Sequence, residues 1–389
     1  MKTLQKMLCA VKNNLLVVLF FAIVGILALG TCVGLLHAYT AHEAIDNQPT
    51  EGQTQFEADL DGSVLGKREL LDLNIAVRSL MGQREINGIV KLNNGYLALP
   101  NGPLETEQAE QIGDSVQALQ QQLADRGIEF LYMMVPFKVS KVDSELPVGI
   151  TDDTNDAMDK VSAAFAARGV HCLNLRDSFD DSGDPYTYFY RTDHHWNTEG
   201  GYFAFTQLAP QLESLLDVTI DPVLLDSENY TRTVYPNWHL GYYGQRTGKF
   251  FAGIDDFTLI EPDFATEITN MGTGETGTFA QILVNPDALQ TRDTNSRMTY
   301  DNVMGRSFGW FRNENAANDK KLLIIGDSMM KAVNPYLALS FREIRCMDNY
   351  EVGDKLTDEF LQEYQPDLVL MEHYPSHLYN TQPFNFALQ

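Results

Sequence analysis

Two short stretches of the chain concentrate side chains that can do chemistry. The first is Gly326-Asp327-Ser328, placed directly after an apolar run and directly before a helical one. At such a junction a serine stands at the carboxyl end of a strand, where open α/β sheets build their sites. Backbone N–H groups at the helix start also face outward there and are suited to a developing oxyanion. The plain structural alternative is a serine that only caps the helix after it. The second stretch is Thr192-Asp193-His194-His195-Trp196-Asn197. A serine hydroxyl becomes a useful nucleophile when a base takes its proton, and that base needs a carboxylate to hold its tautomer. Asp193 and His195 are two apart, so in an extended segment both point to one side and His194 points to the other, into structure. Ser328 as nucleophile, His195 as base and Asp193 as its orienter are therefore the expected catalytic set. Trp196 is expected to pack against the sheet.

Asp-His-His also suits a metal ion, since imidazole and carboxylate are ordinary ligands. Metal phosphoesterases with that tripeptide draw further aspartates from separate strand ends, and no such residues are recognisable here. The expectation is no metal and no cofactor.

Positioning these groups requires a sheet. Residues 105–126 have helical apolar spacing and are followed by the strand Ile128–Val135, which Pro136 ends. Residues 153–168 are again helical and lead to the strand Val170–Leu175. After a helix near 198–216 the rhythm stops and resumes at Leu322–Ile325, Met329–Phe341, Ile344–Met347, 355–364 and Leu368–Met371. Pro335 belongs in the first turns of the Met329–Phe341 helix or kinks it. Helices alternating with short apolar strands predict a parallel sheet covered on both faces. Upstream, the spacing from Leu70 to Leu80 predicts a short helix, and Ile89–Leu92 before Asn93-Asn94-Gly95 a strand and turn. Residues 218–320, rich in aromatics, Gly and Thr, read as an insertion of short strands and loops capping the core.

The chain begins differently. Lys2, Lys6 and Lys12 precede an uncharged run of 22 residues, Leu15–Leu36, and no acidic residue occurs before Glu43. That length suits a hydrocarbon core of roughly 30 Å and exceeds the roughly 7–15 residues of a cleaved signal peptide. The lysines keep the N-terminus cytoplasmic. The expected organisation is a cytoplasmic tip and transmembrane anchor at 1–36 and an extracytoplasmic tether at 37–66. The first part of the α/β domain follows at 67–217, the insertion at 218–320 and the second part at 321–389. Cleavage near Ala38–Ala41 is the alternative. The formal charge of −25, from 53 acidic and 28 basic residues, repels phosphate and argues against nucleic acid as a partner.

Taken together, Tyr190–Asn197 with Gly326-Asp327-Ser328 resembles the signature of the DHHW proteins, a bacterial envelope family similar to the alginate O-acetyltransferase proteins of the SGNH hydrolase superfamily. Asn87-Gly88-Ile89-Val90, Asn94–Leu97, Val135-Pro136-Phe137-Lys138 and Tyr242–Gly248 before Asp255-Asp256 fit as well. The resemblance implies a circularly permuted, flavodoxin-like parallel sheet, because the serine block here follows the Asp-His block. It implies a Ser328–His195–Asp193 triad and an O-acyl transfer, most simply acetyl, to hydroxyls of an envelope or exported polysaccharide. The donor would be delivered by a membrane-bound O-acyltransferase. A carbohydrate esterase using the same triad, and a non-catalytic glycan-binding protein, are the alternatives. Usual superfamily blocks that supply a Gly and an Asn to the oxyanion hole are not identifiable. By position, Asp327, Tyr243, Arg246, Glu372, His373 and Tyr374 are the candidates for oxyanion or substrate contacts. The usual sheet order also places Cys172 and Cys346 on opposite edges, as buried free thiols that do not meet.

Overall fold

The computed structural model describes residues 15–42, 67–292, 298–380 and 382–386, in two compact units, Met1–Val77 and Arg78–Gln389. The first unit holds helix α1 (Leu15–His42), which runs on through 37–42, where the sequence reading begins a tether. The rest of that tether, 43–66, and the tip, 1–14, lie outside the described residues. No helix among the described residues is long and apolar enough to cross a membrane, so the single spanning helix is not supported as a structural feature. Helix α2 (Lys67–Leu80) covers the expected 70–80 segment.

The second unit opens with a small antiparallel sheet, β1 (Glu85–Ile86), β2 (Ile89–Lys91) and β3 (Leu97–Ala98). Asn87 and Gly88 join the first two strands with φ of 54° and 78°, the left-handed pair that a two-residue hairpin turn requires.

Next come α3 (Thr106–Ala124), β4 (Glu129–Met134), α4 (Thr154–Arg168), β5 (Cys172–Asn174), α5 (Leu175–Asp181) and α6 (Thr198–Leu216). The 218–320 stretch supplies β6 (Tyr230–His239), α7 (Tyr242–Thr247), β7 (Asp255–Pro262), β8 (Ile268–Asn270), β9 (Thr276–Gly277), α8 (Thr299–Met304) and β10 (Trp310–Arg312). The chain closes with β11 (Lys321–Gly326), α9 (Asn334–Ser340), β12 (Glu343–Asp348), α10 (Asp358–Tyr364) and β13 (Leu368–His373).

An eight-stranded sheet runs in the order β5-β4-β13-β11-β12-β10-β8-β9. Its first five strands pair in parallel. Counted from β11, they follow the 2-1-3-4-5 order of flavodoxin-like sheets, whose site lies where the winding reverses, here between β11 and β13. The fold is therefore mixed α/β with a large, mainly parallel sheet. Strands β4, β11 and β13 are buried along almost their whole length, as a sheet covered on both faces demands.

The sheet also departs from the sequence reading. Strands β10, β8 and β9 come from the 218–320 stretch and continue the sheet antiparallel beyond β12, so Cys346 is not on an edge. An edge strand left bare is a template for aggregation, and this extension covers it. Cys172 and Cys346 are free and partly buried, and burial pushes both thiols up to about 12. The helix expected over Met329–Phe341 is two pieces. A 3-10 turn spans Ser328–Ala332, and α9 then starts with Pro335 in its first turn, where a missing N–H costs nothing.

Helix α6 lies against this serine turn through Gly201. A Cβ there would stand 2.3 Å from the Ala332 Cβ and 2.6 Å from its carbonyl oxygen. Gly201→Ala should therefore destabilise the fold by about 1–3 kcal/mol despite the better helix propensity of alanine. Urea unfolding reads the difference, and an unchanged or higher midpoint would refute this packing account.

Candidate active site

Ser328 is the first residue of the turn after β11, with Asp327 as its cap. The Asp327 carboxylate accepts the Met329 N–H at 2.9 Å through one oxygen and the Tyr374 N–H at 2.7 Å through the other. His377 Nδ1 stands 3.1 Å from that second oxygen. Burial raises the pKa of Asp327, but His377 and the backbone donors outweigh it and bring the carboxyl down to about 2. Its neighbour Glu372 goes the other way. Burial first, and then the Asp327 charge, push that carboxyl well above its usual range.

The Asp-His-His stretch lies just before α6, closed into a loop by a bridge between Phe189 and Trp196. Asn197 caps the helix by accepting the Gly200 N–H at 2.9 Å. His195 Nε2 lies 2.6 Å from Ser328 Oγ, and its Nδ1 lies 3.1 Å from Asp193 Oδ1. The second contact is close but off the line of the ring N–H, an alignment that free sites often tighten when they react. Trp196 is fully buried, stacks on Phe179 and donates its indole N–H to the Met329 carbonyl at 2.9 Å. One tryptophan thus ties the histidine loop to the serine turn.

His194 does not point away. The segment bends instead of extending: the His194 N–H donates to Asp193 Oδ1 at 2.7 Å and its imidazole Nδ1 comes within 3.0 Å of the same oxygen. The two imidazoles lie 3.9 Å apart. A third histidine, His239, reaches Asp193 from the end of β6. Its Nε2–H donates to Asp193 Oδ2 at 3.1 Å, while its Nδ1 accepts the Tyr300 N–H at 3.4 Å, which fixes the tautomer. A register shift between Tyr235 and His239 in the β6–β7 pair aims this side chain. Asp193 is fully buried. Burial opposes its charge, yet His195 and His194 hold the carboxyl well below its usual range.

A buried frame supports the loop from behind. Lys138, after β4, donates to the carbonyls of Leu97 at 2.8 Å, Arg191 at 3.4 Å and Asp193. Asp255 of β7 accepts the Thr192 N–H at 2.8 Å and hydroxyl at 2.7 Å, and Arg191 Nε at 3.0 Å. Gly241 presses on the other side, where a Cβ would meet the Cβ of Asp193 at 2.3 Å. His239 and Tyr300 carried no signal in the sequence. Lys138 and Asp255 lie in stretches that fit the family resemblance, which gave them no role.

The other expected contact residues have partners of their own. Tyr243 is buried behind His194, ring to ring at 5.8 Å. Arg246 stacks on Tyr242 and donates to the Asn87 carbonyl at 3.1 Å. Glu372 accepts the Asp327 N–H at 3.2 Å, and His373 lies between Tyr132 and Phe384. Tyr374 is buried, its ring 5.2 Å from that of His194. Asp327 as a carboxylate accepts hydrogen bonds and cannot donate one to an oxyanion. Within the turn the Met329 and Met330 N–H groups are taken by Asp327, leaving Ser328's own, which as the first of the turn has no intraturn acceptor.

Asp193, His194 and His195 also offer three ligand atoms within 4.8 Å of one another. They fit an ion poorly as arranged. Nδ1 of both imidazoles faces the same Asp193 oxygen, and Nε2 of His195 faces Ser328.

Burial pushes the Lys138 amine down to about 7, against the pull of Asp193 and Asp255. The folded chain thus releases this proton near pH 7, while an unfolded chain keeps it until about 10.4. Between those values the unfolded state binds more protons, so this residue's contribution to stability rises with pH. Relative to Lys138→Met, the wild type should gain up to about 1.4 kcal/mol per pH unit from pH 7 to 10. Urea unfolding of both proteins across that range checks it, and parallel pH profiles would show an amine with an ordinary proton affinity.

Residues 98–233 match the family model described as the SGNH hydrolase-like domain of acetyltransferase AlgX. That match contains Asp193 and His195 and ends before Ser328. No curated protein matches the chain by sequence. Among solved structures, Bacillus cereus PatB1 with a sulfonyl adduct is similar at 20% identity and a TM-score of 0.62, covering 78% of this chain and 99% of that one. A DHHW family protein from Eubacterium siraeum is similar at 18% identity and a TM-score of 0.55, covering 78% of this chain and 97% of that one. At these identities the likeness is one of fold. Residues 98–233 are thus similar to the SGNH hydrolase-like domain of acetyltransferase AlgX, the resemblance that the Asp-His-His-Trp element implied.

Proposed function

We propose that this protein is an extracytoplasmic O-acyltransferase that moves an acyl group, most simply acetyl, onto hydroxyls of an envelope or exported polysaccharide. The observation that carries the proposal is the 2.6 Å contact between His195 Nε2 and Ser328 Oγ, with Asp193 at the other ring nitrogen. In the first half-reaction His195 takes the Ser328 proton as Oγ attacks the donor's acyl carbon. The same imidazole returns that proton to the leaving group. In the second, a sugar hydroxyl gives its proton to His195 and attacks the acyl-serine, and the proton passes back to Ser328. Asp193, held ionised, stabilises the imidazolium in both halves.

The place of the reaction is part of the proposal. The described side chains of α1 are apolar and exposed, among them Phe20, Phe21, Ile26 and Leu29. With the lysines before them, they support a single-pass anchor with the N-terminus in the cytoplasm. A donor made in the cytosol then has to cross the membrane, and a membrane-bound O-acyltransferase is the partner that would deliver it.

Incubation with p-nitrophenyl acetate followed by mass spectrometry should find an acetyl group on Ser328. Ser328→Ala and His195→Ala should each lower p-nitrophenol release by about 10³-fold or more. Label on another residue, or activity retained in Ser328→Ala, would sink the serine mechanism. Hydrolysis that outpaces transfer to every offered glycan would mark an esterase.

A further inference from the structure

The surface beside Ser328 is lined by a continuous row of aromatic rings. Tyr242 stands 5.9 Å from His194, His194 5.2 Å from Tyr374, Tyr374 6.3 Å from His377, and His377 5.4 Å from Tyr350. The row reaches the serine from both sides. His194 lies on His195, which holds the Ser328 hydroxyl, and His377 holds Asp327, the residue before it.

Core packing explains the middle of this row and not its ends. Tyr374 is buried, but the His194 and His377 side chains are each 22% exposed, and Tyr242 and Tyr350 are 44% and 43% exposed. Among the described residues of this unit, the exposed large apolar side chains include three aromatics, Tyr242, Phe250 and Tyr350. Two of the three are the ends of the row. An exposed ring loses water-facing area only when a partner with an apolar face lies on it. A sugar has such a face, and its hydroxyls suit the imidazoles between.

The charge of the surroundings selects among sugars. The chain carries −25, Asp327 is ionised beneath His377, and Asp348 caps the Tyr350 N–H at 2.9 Å. Arg246, over Tyr242, is the cation at the opposite end of the row, and its guanidinium is engaged with Asn87. Such a field repels a polyanion.

We propose that the Tyr242–His194–Tyr374–His377–Tyr350 row is the acceptor track, and that the acceptor is an uncharged glycan longer than one sugar. The track lays the chain across Ser328 with Tyr242 and Tyr350 as its two end platforms. This rests on the glycan acceptor of the proposed function.

The test is calorimetric titration of the full chain carrying Ser328→Ala with three probes: the uncharged hexamers of glucose and of N-acetylglucosamine, and a hexuronate. At least one uncharged hexamer should bind more tightly than the hexuronate. Adding Tyr242→Ala or Tyr350→Ala should weaken that hexamer about 3- to 10-fold each. Tyr242→Phe and Tyr350→Phe should keep the affinity, since the ring face is what acts. Phe250→Ala, an exposed ring outside the row, should change nothing. No binding of either uncharged hexamer, tighter binding of the hexuronate, or an equal loss in Phe250→Ala would each overturn the track. Turnover of p-nitrophenyl acetate by the Ser328 protein is read separately. Binding without turnover would remove the proposed function and leave the track standing.

Discussion

Asp193 keeps a full negative charge in a place that water does not reach. An isolated carboxylate would lose its charge there, because desolvation disfavours the ionised form. What holds it is a ring of donors: the His194 N–H and imidazole, the His195 imidazole and the His239 Nε2–H. Each comes from a position the rest of the fold must supply. The β6–β7 pair delivers His239, and the loop before α6 delivers the other two. Behind them, Lys138 and Asp255 fix the backbone that carries the charge. Several kcal/mol of desolvation are at stake in such a site, so a misplaced donor would be costly.

The same logic divides the two ends of the reacting set. Asp193 is sealed, and His195 is nearly so, whereas Ser328 and His194 retain some access to solvent. A sealed carboxylate facing a half-open hydroxyl gives the imidazole a dry side and a wet side. Electrostatic stabilisation of an imidazolium is strongest where water is excluded, while the reacting hydroxyl must admit a substrate. The switch point between β11 and β13 allows both, since strand ends splay there and leave a crevice above a packed sheet.

Much of this was legible in the residues. The parallel strands β4, β11, β12 and β13 announce themselves as short apolar runs, because a strand buried on both faces can hold little else. The serine turn and the Asp-His-His loop are marked by residue type together with spacing and the strand-to-helix context of Ser328. What stayed hidden depended on distance in the chain. His239 and Asp255 lie more than forty residues beyond Asp193 and act through side chains whose types are common on any surface. The bend at His194 was also invisible, since alternation describes an extended strand and the backbone here turns to satisfy the Asp193 carboxylate. Strands β8, β9 and β10 fall in the stretch expected to hold short strands, but their place in the main sheet was hidden for a different reason. They are two or three residues long and add to an edge, so neither length nor periodicity tells which sheet they join.

The donors that remain free decide what a bound acyl group would meet. Asp327 uses the Met329 and Tyr374 N–H groups to hold its own charge, and in doing so withdraws them from any oxyanion. That withdrawal is useful elsewhere: it pins the end of β13 to the start of the serine turn across the switch point. The turn is stiffened by the same bonds that make its oxyanion site sparse. Ser328's own N–H is then the turn's contribution, and a second donor has to come from outside it. A site arranged this way gains its precision from a fixed nucleophile and base more than from a crowded oxyanion pocket. Removing one donor from a fully equipped pocket costs about 3–4 kcal/mol of barrier, so the proposed acyl transfer would be sensitive to the placement of any donor outside the turn.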